Sequence, residues 1–202
     1  MKKYLFLDLD KTLIFSRKVI LSNKKLKFIN KKIKNNNRIL KYNKKKEYLE
    51  HNKYNIILRP YLHYFLDSLK KYYILNIFTA ASKEYCEMVT KKIEKKKKYF
   101  NLKLSNEHLI NNVKRLDKLK KKDYRELNIK NLKDVQKRMI LIDDKYKFIG
   151  EQKNAIQIKP FIGDKNDKTL LYFTIILKGM RVIEDTEEEI EYFKKAIKRA
   201  NS

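Results

Sequence analysis

Lys3-Tyr4-Leu5-Phe6-Leu7-Asp8-Leu9-Asp10-Lys11-Thr12-Leu13 is an apolar run that ends in two aspartates two positions apart, with a threonine two further on. Side chains alternate faces along a strand, so as the run leaves the strand Asp8 and Asp10 can be turned toward one point. Two carboxylates at one point suit a divalent metal, or a nucleophile with an acid beside it. Two more apolar runs follow, at 73–79 (Tyr-Ile-Leu-Asn-Ile-Phe-Thr) and at 138–142 (Arg-Met-Ile-Leu-Ile), the latter leading directly into Asp143-Asp144. Runs of this length read as strands buried on both faces.

Helical patterns lie between the runs. Tyr61 to Lys70 places Leu62, Phe65, Leu66 and Leu69 on one face, and Ser82 to Glu94 does the same for Tyr85, Met88, Val89 and Ile93. Strand alternating with helix implies an α/β fold with a mostly parallel sheet covered by helices on both faces. At 202 residues the chain suits a single domain, residues 1–202. The lysine- and asparagine-rich stretch at about 17–55 interrupts the rhythm and reads as an inserted β-hairpin or flap, or else as a low-complexity loop. In the tail, Thr186 and Glu189 have capping-box spacing. Glu187 and Glu188 fall in the first turn, and Lys194, Lys195, Lys198 and Arg199 come later, so a helix is expected over about 187–200 with a structural acidic run.

The formal net charge is +27, from 51 basic and 24 acidic residues. Such a balance points to nucleic acid or another anionic surface. A second source competes with it, because lysine far outnumbers arginine, while glycine, proline and tryptophan number three, two and none. That bias is what strongly A/T-rich coding produces, and a solvated surface tolerates it. The single cysteine, Cys86, excludes an internal disulfide and a cysteine zinc cluster, and fits a reducing compartment. It is not the nucleophile of a cysteine phosphatase, which needs an arginine six positions on, where Lys92 stands; on a helix face it reads as core packing. His51, His63 and His108 lack metal-ligand spacing. The first apolar run is too short for a signal peptide or a membrane span, so a soluble protein with no membrane partner is expected.

Each apolar strand thus ends in a polar residue of a specific kind: Asp8 with Asp10, Thr79, and Asp143 with Asp144. Parallel α/β sheets bind ligands beyond the carboxyl ends of their strands, where these residues would converge. Acids, a hydroxyl and one lysine from the segment before the last strand would suit phosphoryl transfer through an aspartyl intermediate.

That set resembles the haloacid dehalogenase (HAD) superfamily, whose first motif, Asp-x-Asp-x-Thr, is seen as Asp8-Leu9-Asp10-Lys11-Thr12. Arg59-Pro60 before a helix, Phe78-Thr79-Ala80-Ala81-Ser82-Lys83-Glu84-Tyr85, Lys122-Asp123-Tyr124 and Ile142-Asp143-Asp144 follow in the order of its FCP/SCP class, the NLI-interacting-factor-like protein serine phosphatases, over about residues 3–178. The resemblance implies a HAD-like Rossmannoid fold with a β-hairpin or flap after the first strand. It further implies magnesium-dependent removal of phosphate from phosphoserine or phosphothreonine, with a phosphorylated protein such as the RNA polymerase II C-terminal domain as partner and a nuclear or cytoplasmic setting, the nucleus favoured. By the same resemblance Asp8 is the nucleophile and a magnesium ligand. Asp10 is the general acid and base and reaches the metal through its carbonyl, Thr79 and Lys122 hold the phosphoryl oxygens, and Asp144 completes the metal shell with Asp143 beside it. Two readings compete: a HAD-type phosphatase of nucleic-acid ends, and a catalytically idle interaction module of the same fold. Position 11, commonly glutamate in the class, is Lys11, and Asp144 is followed by Lys145-Tyr146-Lys147 in place of small turn-forming residues.

Overall fold

A computed structural model describes residues 2–18, 54–127, 135–181 and 185–202. They fall into two compact units, one made of residues 1–15 and 58–202, the other of residues 16–57.

In the larger unit the three apolar runs form the strands expected of them. β1 is Lys3–Leu7, and after β2 (Ile14–Lys18) and β3 (Tyr54–Leu58) come β4 (Tyr73–Phe78), β5 (Lys103–Leu104), β6 (Met139–Asp143) and β7 (Ala155–Gln157). Five of these make one all-parallel sheet in the order β5-β4-β1-β6-β7. β1 lies at its centre, with Leu5 opposite Leu75 on one side and Ile140 on the other. Every residue of β1 and of β6 is buried, which is why both read as unbroken apolar runs and not as alternating ones. From β1 the chain builds β4 and β5 on one flank and then crosses to β6 and β7 on the other. The carboxyl ends of β1, β4 and β6 therefore meet where the winding direction changes, the crevice in which such sheets bind ligands.

The helices are α1 (Leu62–Leu69), α2 (Lys83–Ile93), α3 (Lys121–Tyr124), α4 (Tyr146–Ile149), α5 (Thr169–Gly179) and α6 (Thr186–Ala200). α1 buries the four apolar residues its periodicity singled out, Leu62, Phe65, Leu66 and Leu69. α2 starts at Ser82, whose hydroxyl accepts from the Tyr85 amide. Its Cys86 is buried, and burial pushes the thiol up to about 12, so it is an inert packing residue. None of the helices among the described residues is long and apolar enough to cross a membrane.

The start of α6 differs from the capping box expected of Thr186 and Glu189. The cap is Asp185, which accepts from the Glu187 amide. Thr186 instead donates its hydroxyl proton to the carbonyl of Met139, and Glu189 is buried in an ion pair with Lys3, whose ammonium also donates to the carbonyl of Met180. A buried lysine at the head of the central strand requires a counter-charge, and that demand overrides the local capping role.

In the smaller unit, β2 and β3 pair as a two-stranded sheet. The body of the hairpin or flap expected over 17–55, His51 included, lies outside the described residues.

Candidate active site

Asp8 follows β1 directly, its amide donating to Ile142 of β6, and its side chain is buried. The next residues close a tight loop in which the carbonyl of Leu9 accepts from the amides of Thr12, Leu13 and Ile14. Lys11 takes a left-handed conformation, φ 61°. The loop is fastened from outside as well: the amide of Phe161 donates to the carbonyl of Lys11, and Arg59 donates to that of Thr12. Arg59 is buried, and its guanidinium grips both carboxylate oxygens of Asp167, at 3.0 and 2.9 Å. Arg59 is thus a buttress beneath the loop and not part of its mouth.

Thr79 is buried at the end of β4, where its amide donates to Leu104 and its hydroxyl accepts from the Ala81 amide. Asp143 and Asp144 are buried at the end of β6. Asp143 accepts from the amide of Lys145 through its other carboxylate oxygen. Carboxylate oxygens of Asp8, Asp143 and Asp144 all lie within 4.8 Å of one another. Asp10 is half-buried at the rim, and the hydroxyl of Tyr85 on α2 donates to its carboxylate at 2.7 Å.

The cation at this point is not the one read from the sequence. Lys122 is exposed on the short helix α3. Lys114, fully buried, donates to Asp8 at 2.6 Å and also to Asp143. The turn before it brings it there. Asn111 and Asn112 both take positive φ, at 50° and 61°, and Ile110 and Val113 exchange backbone hydrogen bonds across them. This is the two-residue hairpin turn that asparagine favours. Lys114 then donates its amide to Phe148, and Gln152 clamps the segment by donating to the Lys114 carbonyl and accepting from the Leu116 amide. The signal in the sequence was the Asn111-Asn112 pair followed by one lysine between apolar Val113 and Leu116. Lys122, by contrast, belongs to a solvated lysine run.

Charge at the site is unevenly balanced. Burial alone would lower the Lys114 pKa, but the carboxylates of Asp8 and Asp143 outweigh it and hold the ammonium above the ordinary lysine range. Burial, with the charge of Asp8 added, pushes Asp143 up to about 6 despite Lys114. Burial and Asp8 raise Asp144 too, against the pull of Lys145 and Lys11. Three close carboxylates with one buried ammonium remain short of positive charge. Hard oxygen donors deficient in positive charge fit a small divalent cation such as magnesium, and Asp8, Asp143 and Asp144 together could hold one.

A family model described as NLI interacting factor-like phosphatase matches residues 3–187. The chain belongs to that family. A curated relative, Nuclear envelope morphology protein 1 of Schizosaccharomyces pombe, is 27% identical over 135 residues, which are 67% of this chain and 27% of the relative. Among solved structures, fission yeast Fcp1, an RNA polymerase II CTD phosphatase, bound to beryllium fluoride as an R271A variant, aligns with a TM-score of 0.52 at 18% identity, over 100% of this chain and 57% of that one. A second structure of Fcp1 gives 0.51 at 18% identity, over 96% and 54%. These likenesses are of fold, and they agree with the HAD-like α/β architecture. The chain spans about a quarter of the length of the curated relative.

Proposed function

We propose that this protein is a magnesium-dependent phosphoprotein phosphatase working through an aspartyl phosphate, with phosphoserine or phosphothreonine in a protein as its substrate. The observation that carries the reading is the gathering of Asp8, Asp143 and Asp144 at the ends of two neighbouring strands, with the buried ammonium of Lys114 donating to Asp8 and Asp143 and with Thr79 buried at the end of the adjoining strand β4. Family membership over residues 3–187 supports it.

Asp8 attacks phosphorus: a carboxylate oxygen forms the new P–O bond as the bond to the seryl oxygen breaks. Asp10, at the rim and held by Tyr85, gives that oxygen its proton, and afterwards takes one from the water that attacks the aspartyl phosphate. Lys114 and the hydroxyl of Thr79 supply fixed positive charge and a donor where negative charge spreads over the phosphoryl oxygens. Asp8 and Asp144, with the carbonyl of Asp10, would hold magnesium, which supplies Lewis-acid neutralisation of the phosphoryl charge. Asp143, beside them in the acidic cluster, also orients Lys114.

The phosphorylated C-terminal domain of RNA polymerase II, named for fission yeast Fcp1, is the first substrate to test. The likeness to a nuclear envelope morphology protein supports a nuclear setting for it. Asp8→Asn, which keeps the shape of the nucleophile, is expected to abolish magnesium-dependent release of phosphate from a phosphoserine heptad peptide with the fold unchanged by circular dichroism. Substantial turnover by that variant refutes the mechanism.

A further inference from the structure

Three lysines flank the acidic residues of this site, and their side chains have no part in its catalytic set. Lys11 follows Asp10 directly, and Lys145 and Lys147 follow Asp144; all three are exposed. Lys11 is held by its backbone on both sides, its amide donating to Ile14 and its carbonyl accepting from Phe161, so it is fixed beside the nucleophile loop. Its charge, with that of Lys145, acts on Asp144. The ammonium groups of Lys145 and Lys147 lie 5.6 and 5.0 Å from the ring centroid of Phe148, and the buried Lys114 ammonium lies 5.4 Å from the same centroid. Lysines of the mouth and of the site thus share one aromatic ring. Among the described residues no carboxylate forms an ion pair with Lys11, Lys145 or Lys147.

Exposed like charges that make no ion pair among the described residues repel one another, and an arriving anion relieves that repulsion. The phosphoryl group under attack is already served by Lys114 and Thr79. The exposed ammonium groups outside the buried cluster are therefore free to serve a second anion.

Resting on the phosphatase reading above, we infer that the mouth recognises a second anionic group beside the phosphate being removed, so that the preferred substrate is a phosphorylated protein segment flanked by acidic residues or by another phosphate. The second anion sits over Lys11, Lys145 and Lys147 while the first is held at Lys114. All three are lysines, flexible point charges that take a carboxylate or a phosphate alike. The phosphoprotein substrate proposed above supplies either one beside its phosphoserine, as a glutamate, an aspartate or a second phosphate.

The test compares kcat/KM for two phosphoserine peptides that differ only in having glutamates or glutamines around the phosphoserine, at low and high salt, with a 3′-phosphorylated oligonucleotide alongside. The glutamate peptide is expected to be preferred on the order of tenfold at low salt. Added salt should shrink the preference, because exposed charges are screened within about 10 Å at moderate ionic strength. The triple variant Lys11→Gln, Lys145→Gln, Lys147→Gln should bring the ratio of the two peptides close to one. Equal hydrolysis of both peptides by the unaltered protein overturns the inference but not the phosphatase reading, and faster hydrolysis of the oligonucleotide overturns it in favour of nucleic-acid ends. If neither peptide yields phosphate in an Asp8-dependent manner, the phosphatase reading fails and takes this inference with it.

Discussion

Replacing Lys114 with methionine separates the buried cation from its packing. Methionine keeps most of the aliphatic stem, and it removes the ammonium that lies 5.4 Å from the Phe148 ring centroid and donates to Asp8 at 2.6 Å and to Asp143. Since the Lys114 side chain is fully buried, its removal strands two carboxylates in a dry site. Breaking a buried pair by deleting one partner costs about 3–5 kcal/mol. For a chain of this size that corresponds to a fall in Tm of roughly 6–20 °C. The double variant Lys114→Met, Asp143→Asn, which discharges one stranded carboxylate, should recover about 1–3 kcal/mol of the loss. On activity, loss of a preorganised positive donor should lower kcat about 100- to 1000-fold. The assay is urea unfolding followed by circular dichroism, with phosphate release measured on the same samples. Lys122→Met is the control: on an exposed lysine it should move stability by no more than about 0.5 kcal/mol and leave turnover near that of the parent. A Lys114→Met protein as stable and active as the parent, or a Lys122→Met protein that loses turnover, refutes the assignment of the cation.

The raised pKa of Asp143 has a defined sign in stability. The folded state keeps that proton up to about pH 6, whereas the unfolded chain releases it near an ordinary aspartate value. Metal-free protein should therefore lose stability, relative to Asp143→Asn, as pH rises from about 4 to about 6, read from urea midpoints across that range; parallel profiles would contradict the burial of that charge. Tyr85→Phe removes the hydroxyl that holds Asp10, and should slow hydrolysis of a phosphoserine peptide on the order of tenfold. p-Nitrophenyl phosphate, whose leaving group departs without a proton, should lose less, since only the deprotonation of water still calls on Asp10. Unchanged turnover of the peptide would argue against a role for Tyr85 in proton transfer.

Much of this architecture was legible because burial on both faces writes itself into sequence. β1, β4 and β6 are central strands, so no polar alternation obscures their runs, and the residue that ends each one is the residue at the crevice. α1 and α2 were equally plain, because each buries a single stripe. Lys114 was harder to see because the segment carrying it is neither strand nor helix, and its position depends on a turn at Asn111-Asn112 and a clamp from Gln152 38 residues away. Composition misled there too, since a lysine run draws attention to itself just where lysine is cheapest to solvate. The capping role expected of Thr186 and Glu189 gave way for a related reason. Their partners, Met139 and Lys3, lie far away in the chain, and no local pattern registers them.

The tie between Lys3 and Glu189 spans 186 positions and bears on the order in which the molecule can be assembled. On a ribosome Lys3 is made first and its counter-charge 186 positions later. At roughly 5–20 residues per second the interval is on the order of ten to forty seconds. Until Glu189 is made, the head of the central strand lacks the carboxylate it is buried against, although by the end of that interval every side chain of the proposed catalytic set has been made. The sheet can start to pair in that time, but its middle strand cannot be sealed until α6 docks. Folding of the catalytic centre is thereby coupled to completion of residues that never touch it.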